Sequence, residues 1–145
     1  MADVLDLYGR VSKVVRDATD AELRHHGLRL GQDHLLAQLW RDDGRTPGEV
    51  AAAMGVTTPA VTKGATVLER SGLLERRRDP VDQRLVRLWL TPAGRSLQRP
   101  VEQARAKVER TLLAGLGDQE VVAFREALEH IQANAASALG KTTTT

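Results

Sequence analysis

At residues 57–91 the chain has the sequence TTPAVTKGATVLERSGLLERRRDPVDQRLVRLWLT, and the other segments are arranged around this one. Its first half has apolar residues at three- and four-residue steps, starts at a threonine suited to capping and ends at a glycine, which together predict a helix. Its second half contains two strand-like runs separated by the turn residues DPVDQ. We therefore predict a helix followed directly by a two-stranded ribbon whose tip is rich in arginine.

A second capped helix is predicted immediately upstream. Thr46 is suited to capping it, Pro47 to its first position, and Glu49 to completing a capping box. Gly55 ends this helix two residues before the following helix begins. Two capped helices joined by a short glycine-containing turn predict a helix-turn-helix. Residues 45–46 fit a very short strand.

Helical apolar spacing continues on both sides of this lobe. The first helix, at about 3–25, has an apolar stripe wide enough to contact both its own core and a partner chain. We predict a mainly α protein with a small β-wing, in which helices at the two ends of the chain form a dimer. Residues 1–140 are predicted to be a single domain, with a winged helix-turn-helix at about 31–91, dimerisation helices at about 3–25 and 92–139, and a disordered tail at 141–145. The alternative is a monomer that packs these helices on itself.

The composition excludes several classes of function. The chain has no cysteine, which removes disulfides, thiol nucleophiles and thiolate metal sites. Its length of 145 residues fits one domain with a core of its own. No apolar run approaches the roughly 18–20 residues that span a bilayer, and the first residues lack the basic region of a signal peptide. We expect a cytoplasmic protein with no membrane partner and no cofactor.

Positive charge is concentrated in one part of the chain. The net charge is +2, whereas residues 57–99 contain nine Lys or Arg and four Asp or Glu, a balance of +5. On charge alone this segment is either a solvated face or a surface that meets a polyanion. Aromatic residues make up only 3% of the chain, which argues against stacking on single-stranded nucleic acid.

The second helix of the helix-turn-helix has an uncharged polar outer face with one lysine. Such a helix fits the major groove of a duplex, which is about 12 Å wide. Its hydroxyl and methyl groups suit base edges, and its N-terminal amides suit a phosphate. The candidate DNA-binding residues on this face are Thr58, Pro59, Thr62, Lys63 and Thr66.

The ribbon tip is expected to reach the neighbouring minor groove. Arg84, just past the turn, has the slim stem and weakly hydrated charge that suit a narrow groove. Asp82, two residues earlier, is close enough to hold the guanidinium of Arg84 in one direction. The remaining candidates, which we expect to contact phosphates, are Arg76, Arg77, Arg78 and Arg87.

These motifs resemble the MarR family of winged helix-turn-helix regulators. The wing motif is Asp82-Gln83-Arg84 followed by a strand and Leu90-Thr91-Pro92-Ala93-Gly94, and the helix-turn-helix motif lies in residues 50–62 and 68–74. The resemblance implies a homodimer on a pseudo-palindromic operator of double-stranded DNA, with one helix in the major groove and one wing arginine in the minor groove. It also implies a transcriptional repressor that releases DNA when a small aromatic or anionic effector binds between the dimer helices and the DNA-binding lobe.

Two positions depart from the family pattern. Arg29-Leu30-Gly31 stands where the family often has a threonine or serine shortly before the glutamine that matches Gln32, so we expect a weaker cap on the second helix. Pro100 lies within the long final helical section and should kink it. Neither departure touches the DNA-reading residues.

Other interpretations remain open. A small effector could contact His34 and Trp40, although Trp40 also fits an ordinary core position. A winged helix can instead serve as a protein-interaction module, usually without a basic wing. We expect no enzymatic activity, because motifs such as GxSxG and HExxH are absent. A metal-responsive regulator is disfavoured because no HxxxH pair lies on one helical face; the histidines concerned are His25, His26, His34 and His130.

Overall fold

The structure is a computed structural model that describes residues 3–140. The predicted tail at 141–145 therefore lies outside the described residues. The mainly helical architecture with a small two-stranded sheet confirms the predicted fold class. In chain order the elements are α1 (Asp3–Arg24), α2 (Gln32–Arg41), α3 (Pro47–Met54), α4 (Thr58–Arg70), β1 (Leu74–Arg78), β2 (Val86–Leu90), α5 (Pro92–Ser96), α6 (Gln98–Leu112) and α7 (Asp118–Gly140).

The chain divides into two compact units. The first extends to Val108 and contains the helix-turn-helix, the sheet and the hydrophobic core. The second begins at Glu109 and contains α7, a helix of 23 residues none of which is buried. The candidate DNA-binding residues all lie in the first unit.

The helix-turn-helix is built from α3 and α4 with the predicted caps. The hydroxyl of Thr46 accepts a hydrogen bond from the N–H of Glu49 at 3.2 Å, and Thr57 accepts one from the N–H of Ala60 at 3.3 Å. Between the helices Gly55 has φ 68°, a left-handed conformation that residues with a Cβ rarely adopt. Local chemistry therefore fixes where both helices begin and how the chain turns between them.

Close packing of α2 against α4 accounts for a glycine inside the second helix. A Cβ on Gly64 would lie 3.2 Å from Leu35 Cδ1, closer than an ordinary van der Waals contact, so the leucine side chain would have to shift to admit it. Glycine costs a helix roughly 1 kcal/mol relative to alanine, and this close approach gives a physical reason for a glycine at position 64. The core behind this contact consists of Leu23, Leu28, Leu35, Leu36, Leu39, Val50, Ala51, Val61, Ala65, Leu68, Leu74, Leu88, Leu90 and Val101.

The wing is the antiparallel pair β1 and β2, whose register begins with Leu74 opposite Leu90. Both of these side chains are buried, as is Leu88, so the base of the wing is part of the core. The very short strand predicted at 45–46 is present as a single bridge between Arg45 and Leu88. The ribbon is therefore held on one side by α4 and on the other by the segment that leads into α3.

The start of α2 is capped in an unusual way. Gly31 supplies no side-chain cap, as expected from the departure noted at this position. Instead Gln32 and Asp33 reach backwards: the Gln32 side-chain oxygen accepts from the N–H of Arg29 at 2.8 Å, and Asp33 accepts from the N–H of Gly31 at 3.1 Å. Asp33 is 1% exposed and also pairs with Arg105 of α6.

The predicted long helix with a kink at Pro100 is two helices. α5 ends at Ser96 and α6 begins at Gln98, so the break precedes the proline. Proline has no N–H to donate to the carbonyl of Ser96, four residues earlier, which explains why the helical ladder is interrupted there. The effect of Pro100 was expected, but it separates two helices where a bend in one had been predicted.

Candidate nucleic-acid interface

Four of the five candidate residues on the outer face of α4 are exposed to solvent. Thr58, Pro59, Thr62 and Lys63 are exposed, whereas Val61, Ala65 and Leu68 on the opposite face are buried. None of the ion pairs within residues 3–140 involves Lys63. The front of this helix therefore offers hydroxyl groups, methyl groups and one ammonium group to a partner.

Thr66, the fifth candidate on α4, is half-buried and already engaged. Its hydroxyl donates to the carbonyl of Thr62 at 3.0 Å and accepts from the guanidinium of Arg76 at 2.7 Å. Because its proton is committed within the helix, Thr66 has less to offer a base edge than Thr58 or Thr62.

Arg76 joins the first strand of the wing to α4. Its guanidinium donates to the carbonyl of Thr62 at 2.8 Å and to the carboxylate of Glu69 at 3.1 Å. The other oxygen of Glu69 accepts from the backbone N–H of Arg76 at 2.9 Å. These bonds connect both the side chain and the backbone of β1 to the helix, so the wing has a fixed position relative to α4.

The wing tip contains the predicted contact between Asp82 and Arg84. The guanidinium of Arg84 donates to both oxygens of Asp82, at 3.0 and 3.2 Å, and its backbone N–H donates to the same carboxylate at 3.1 Å. This pairing lowers the pKa of Asp82 and raises the pKa of Arg84. The Arg84 side chain is 91% exposed, so the acid fixes its direction and leaves its outer edge open.

Asp79, to which sequence analysis assigned no role, organises the turn beneath that tip. One carboxylate oxygen accepts from the backbone N–H groups of Val81 and Asp82, both at 2.8 Å, and the other accepts from Arg87 at 2.6 Å. These bonds, led by the one from Asp82, lower the pKa of Asp79 from 3.8 to about 2. The signal for this role is local: an aspartate that begins a turn commonly bonds the backbone two residues on.

Arg87 connects the same turn to the helix-turn-helix. Besides its bond to Asp79, it donates to the carbonyl of Gly44 at 3.0 Å, and Glu49 of α3 lies 4.0 Å away. Its side chain is 30% exposed. Like Arg76, it is occupied by partners within the chain.

The two remaining candidates on the wing are more exposed. The guanidinium of Arg77 lies 5.7 Å from the ring centroid of Trp89 and pairs with Glu75. Arg78 donates to the carbonyl of Gln83 at 3.0 Å, across the mouth of the turn. Both keep an exposed face beside the tip.

A cleft of about 370 Å³ lies between α2 and α4, and it contains neither of the predicted effector residues. His34 is exposed on α2, and Trp40 packs against the core and donates to the carbonyl of Gly94 at 2.9 Å. The walls of the cleft are apolar apart from Gln32 and Lys63. Its lining residues are Leu30, Gly31, Gln32, Leu35, Met54, Val56, Ala60, Val61, Lys63, Gly64 and Val67.

Within residues 3–140, no three His, Cys, Asp or Glu side chains are grouped so that they could hold a metal ion. No helix in that range is long and apolar enough to cross a membrane.

Comparison with known proteins finds relatives in sequence and, among solved structures, in fold. Residues 28–86 match the model of the MarR family. The uncharacterized HTH-type transcriptional regulator YsmB of Bacillus subtilis is 24% identical over 132 residues, which span 91% of this chain and 90% of YsmB. Among solved structures, the S. aureus MepR–DNA complex is 26% identical with a TM-score of 0.79, covering 88% of this chain and 95% of MepR. CouR of Rhodococcus jostii RHA1, bound to p-coumaroyl-CoA, is 28% identical with a TM-score of 0.74, covering 89% of this chain and 91% of CouR.

Proposed function

Because this chain belongs to the MarR family of transcriptional regulators, we propose that it represses transcription by binding a pseudo-palindromic DNA operator as a homodimer. The observation that carries the proposal is the combination of a polar, exposed α4 face with an outward arginine fixed on the wing. MepR, which has the same fold, has been solved in complex with DNA. A family of regulators gives no reason to assign an enzymatic activity.

The α4 face is proposed to read the major groove. Thr58 and Thr62 supply hydroxyl and methyl groups for base edges, and Lys63 supplies a charge for a base or a phosphate. The absence of a large apolar or acidic side chain among these outward residues removes the usual obstacles to close approach. Thr66 is proposed to contribute less to base contacts, because its hydroxyl is bonded to Thr62 and Arg76.

The wing is proposed to enter the adjacent minor groove through Arg84. A narrow groove has enhanced negative potential, and an arginine that is already oriented loses little side-chain entropy on entering it. Arg77 and Arg78 flank the tip and remain the candidates for phosphate contacts. Arg76 and Arg87 are proposed to act mainly by holding the wing, since their guanidinium groups are bonded within the chain.

The homodimer is proposed from apolar side chains that a single chain leaves in water. An exposed apolar stripe of this length on α1 is unusual for a monomer and fits a surface that a second copy covers. α7 carries exposed apolar residues as well, namely Val122, Phe124, Ile131 and Leu139. The α1 stripe consists of Val4, Leu5, Leu7, Tyr8, Val11, Val14 and Val15, each between 39% and 72% exposed.

Selection of genomic fragments by the purified protein tests the proposal. We expect recovery of a pseudo-palindromic duplex, bound by two chains as measured by analytical ultracentrifugation. Transcription from the neighbouring promoter should fall in the presence of the protein. Failure to enrich any duplex, together with capture of a protein partner through the same face, would instead favour a protein-interaction module.

A second candidate activity, effector binding, is favoured by the cleft beside α4. Its walls are apolar and Lys63 lies among its lining residues, so it suits a small aromatic molecule with a negative group. Five of the lining residues, Ala60, Val61, Lys63, Gly64 and Val67, belong to α4 itself. A ligand there would therefore change the helix proposed to read DNA. CouR, a protein of similar structure, has been solved with p-coumaroyl-CoA.

Methionine labelling offers a direct test of effector binding. The chain has two methionines, and Met54 lines the cleft while the other is Met1. With the methionine methyl groups labelled for NMR, an aromatic carboxylate that releases DNA should shift the Met54 signal. Val67→Phe, which narrows the cleft from its exposed side, should weaken that shift and leave DNA binding without ligand intact. An aromatic carboxylate that releases DNA without shifting the Met54 signal would show that the effector does not bind in this cleft.

A further inference from the structure

Val81 at the wing tip is an apolar side chain held in water. It is 95% exposed, more than any other large apolar residue within residues 3–140. It lies three positions before Arg84, whose side chain is 91% exposed. An exposed cation and an exposed apolar side chain thus lie three residues apart at the tip of the wing.

The turn holds Val81 in this position. Its backbone N–H is bonded to Asp79 at 2.8 Å, and the N–H of the next residue, Asp82, is bonded to the same oxygen at 2.8 Å. Arg87 fixes the other oxygen of Asp79 at 2.6 Å. A loose loop could turn a valine back towards the protein, but this turn would have to break several hydrogen bonds to do so.

We propose that Val81 is a second minor-groove contact beside Arg84 and that it adds a preference for A·T over G·C base pairs. This inference rests on the proposed DNA-binding function. The partner of Val81 is inferred to be the minor groove because of the charge beside it. An exposed guanidinium near an apolar side chain matches a groove with phosphate walls and an apolar sugar lining.

The chemistry of the groove floor explains the preference. A G·C pair presents the guanine N2 amino group in the minor groove, whereas an A·T pair presents only acceptors. A valine pressed against that amino group would remove water from a donor and offer no acceptor in return. Minor-groove acceptors are present on both kinds of pair and are covered in either case, so the G·C pair differs by the one additional donor that is left without a partner. The preference from Arg84 is electrostatic and weakens with salt, whereas the one from Val81 should not.

Inosine separates these contributions experimentally. An I·C pair keeps the major-groove pattern of G·C but lacks the N2 amino group. The site under the wing is first located by footprinting, as the minor-groove protection that is lost in Arg84→Ala. The full-length protein is then titrated with the selected operator carrying A·T, I·C or G·C at that site. Val81→Thr keeps the shape of the side chain and adds a hydroxyl that can accept from guanine. Val56→Thr is the matched control, since it makes the same change in the turn between α3 and α4.

We compare the ratio of affinities for A·T or I·C over G·C. This ratio should be about threefold to tenfold larger for the wild-type protein than for Val81→Thr. The salt dependence of binding should be the same for both. Val56→Thr should keep the full discrimination, even if its overall affinity changes. Equal discrimination by wild type and Val81→Thr would overturn the role of Val81 while leaving the DNA-binding function intact. Absence of DNA binding by the wild-type protein would overturn that function and this inference with it.

Discussion

The arginines at the base of the wing and the arginine at its tip belong to one basic run but have different surroundings. At the base, Arg76 is 25% exposed and bonded to Thr62, Thr66 and Glu69 of α4. At the tip, Arg84 is 91% exposed and bonded only to Asp82 within residues 3–140. Arg76 therefore holds the ribbon against α4. Arg84 is itself oriented by Asp82, which leaves its guanidinium available to a binding partner.

This difference changes how the +5 balance of residues 57–99 is understood. Four wing arginines have a carboxylate partner, and three of the five acids concerned lie on the wing itself, namely Glu75, Asp79 and Asp82. Charge counted along the sequence therefore overstates the number of cations free to meet a polyanion. The charge count also gives no sign that Asp82 orients Arg84. An oriented guanidinium loses less side-chain entropy on binding than a mobile one.

Removing the tip arginine should have the largest effect on DNA binding. For Arg84→Ala we expect operator affinity to fall roughly 10- to 100-fold, because one groove contact is lost per chain. The urea unfolding curve should not change, since the Arg84 side chain bonds only the turn in which it lies. Arg84→Lys should restore only part of the affinity, because lysine lacks the planar fork that Asp82 holds. Unchanged affinity in gel shifts of Arg84→Ala would remove the wing from the mechanism.

Removing the base arginine should act on stability. For Arg76→Ala we expect the free energy of unfolding in urea to fall by about 1–2 kcal/mol, because a partly buried guanidinium loses several hydrogen bonds. Arg70→Ala, which removes an exposed arginine at the end of α4, serves as the control and should change stability by less than about 0.5 kcal/mol. If Arg76→Ala left stability unchanged and reduced the salt dependence of DNA binding, the phosphate contact expected from the sequence would be correct.

Lys63 on α4 is an intermediate case: it is exposed like Arg84, but no acid within residues 3–140 forms an ion pair with it. Lys63→Ala should lower the slope of log affinity against log salt by about one per chain if its ammonium group meets a phosphate. The loss of affinity should be smaller than for Arg84→Ala, since a mobile side chain contributes less. A slope equal to that of wild type would mean that Lys63 contacts a base or nothing.

The smallest expected effect is the contribution of Asp79, beneath the tip, to folding stability. Its dependence on pH appears only in acid. The pKa of Asp79 is lowered from 3.8 to about 2, so its ionised form stabilises the fold above about pH 4. That contribution should disappear as the pH falls from about 4 to about 2, where the folded state also takes up the proton. Asp79→Asn should be less stable than wild type at pH 6, and the difference should shrink at pH 3, as measured by thermal unfolding. A difference that stays constant between these pH values would show that the charge of Asp79 does not hold the turn.

Features decided within a few residues could be predicted from the sequence, and those that depend on distant partners could not. The caps at Thr46 and Thr57 and the Asp82–Arg84 contact involve neighbours two or three residues apart, and each is present. The partners of Arg76, seven to fourteen residues away, depend on how the wing meets α4, which spacing does not reveal. The bond from Trp40 to Gly94 spans 54 residues, and it explains why that tryptophan lies against the core and outside the cleft.

Hydroxyl-radical footprinting on the selected operator tests the central claim most directly, because it reports minor-groove access base by base. The account predicts two protected minor-groove segments related by two-fold symmetry, flanking recognition sites spaced by about one helical turn. Both segments should become accessible in Arg84→Ala at protein concentrations that still saturate the DNA. A single unsymmetrical protection, or two protections that persist without Arg84, would contradict a homodimer that inserts one wing arginine per half-site.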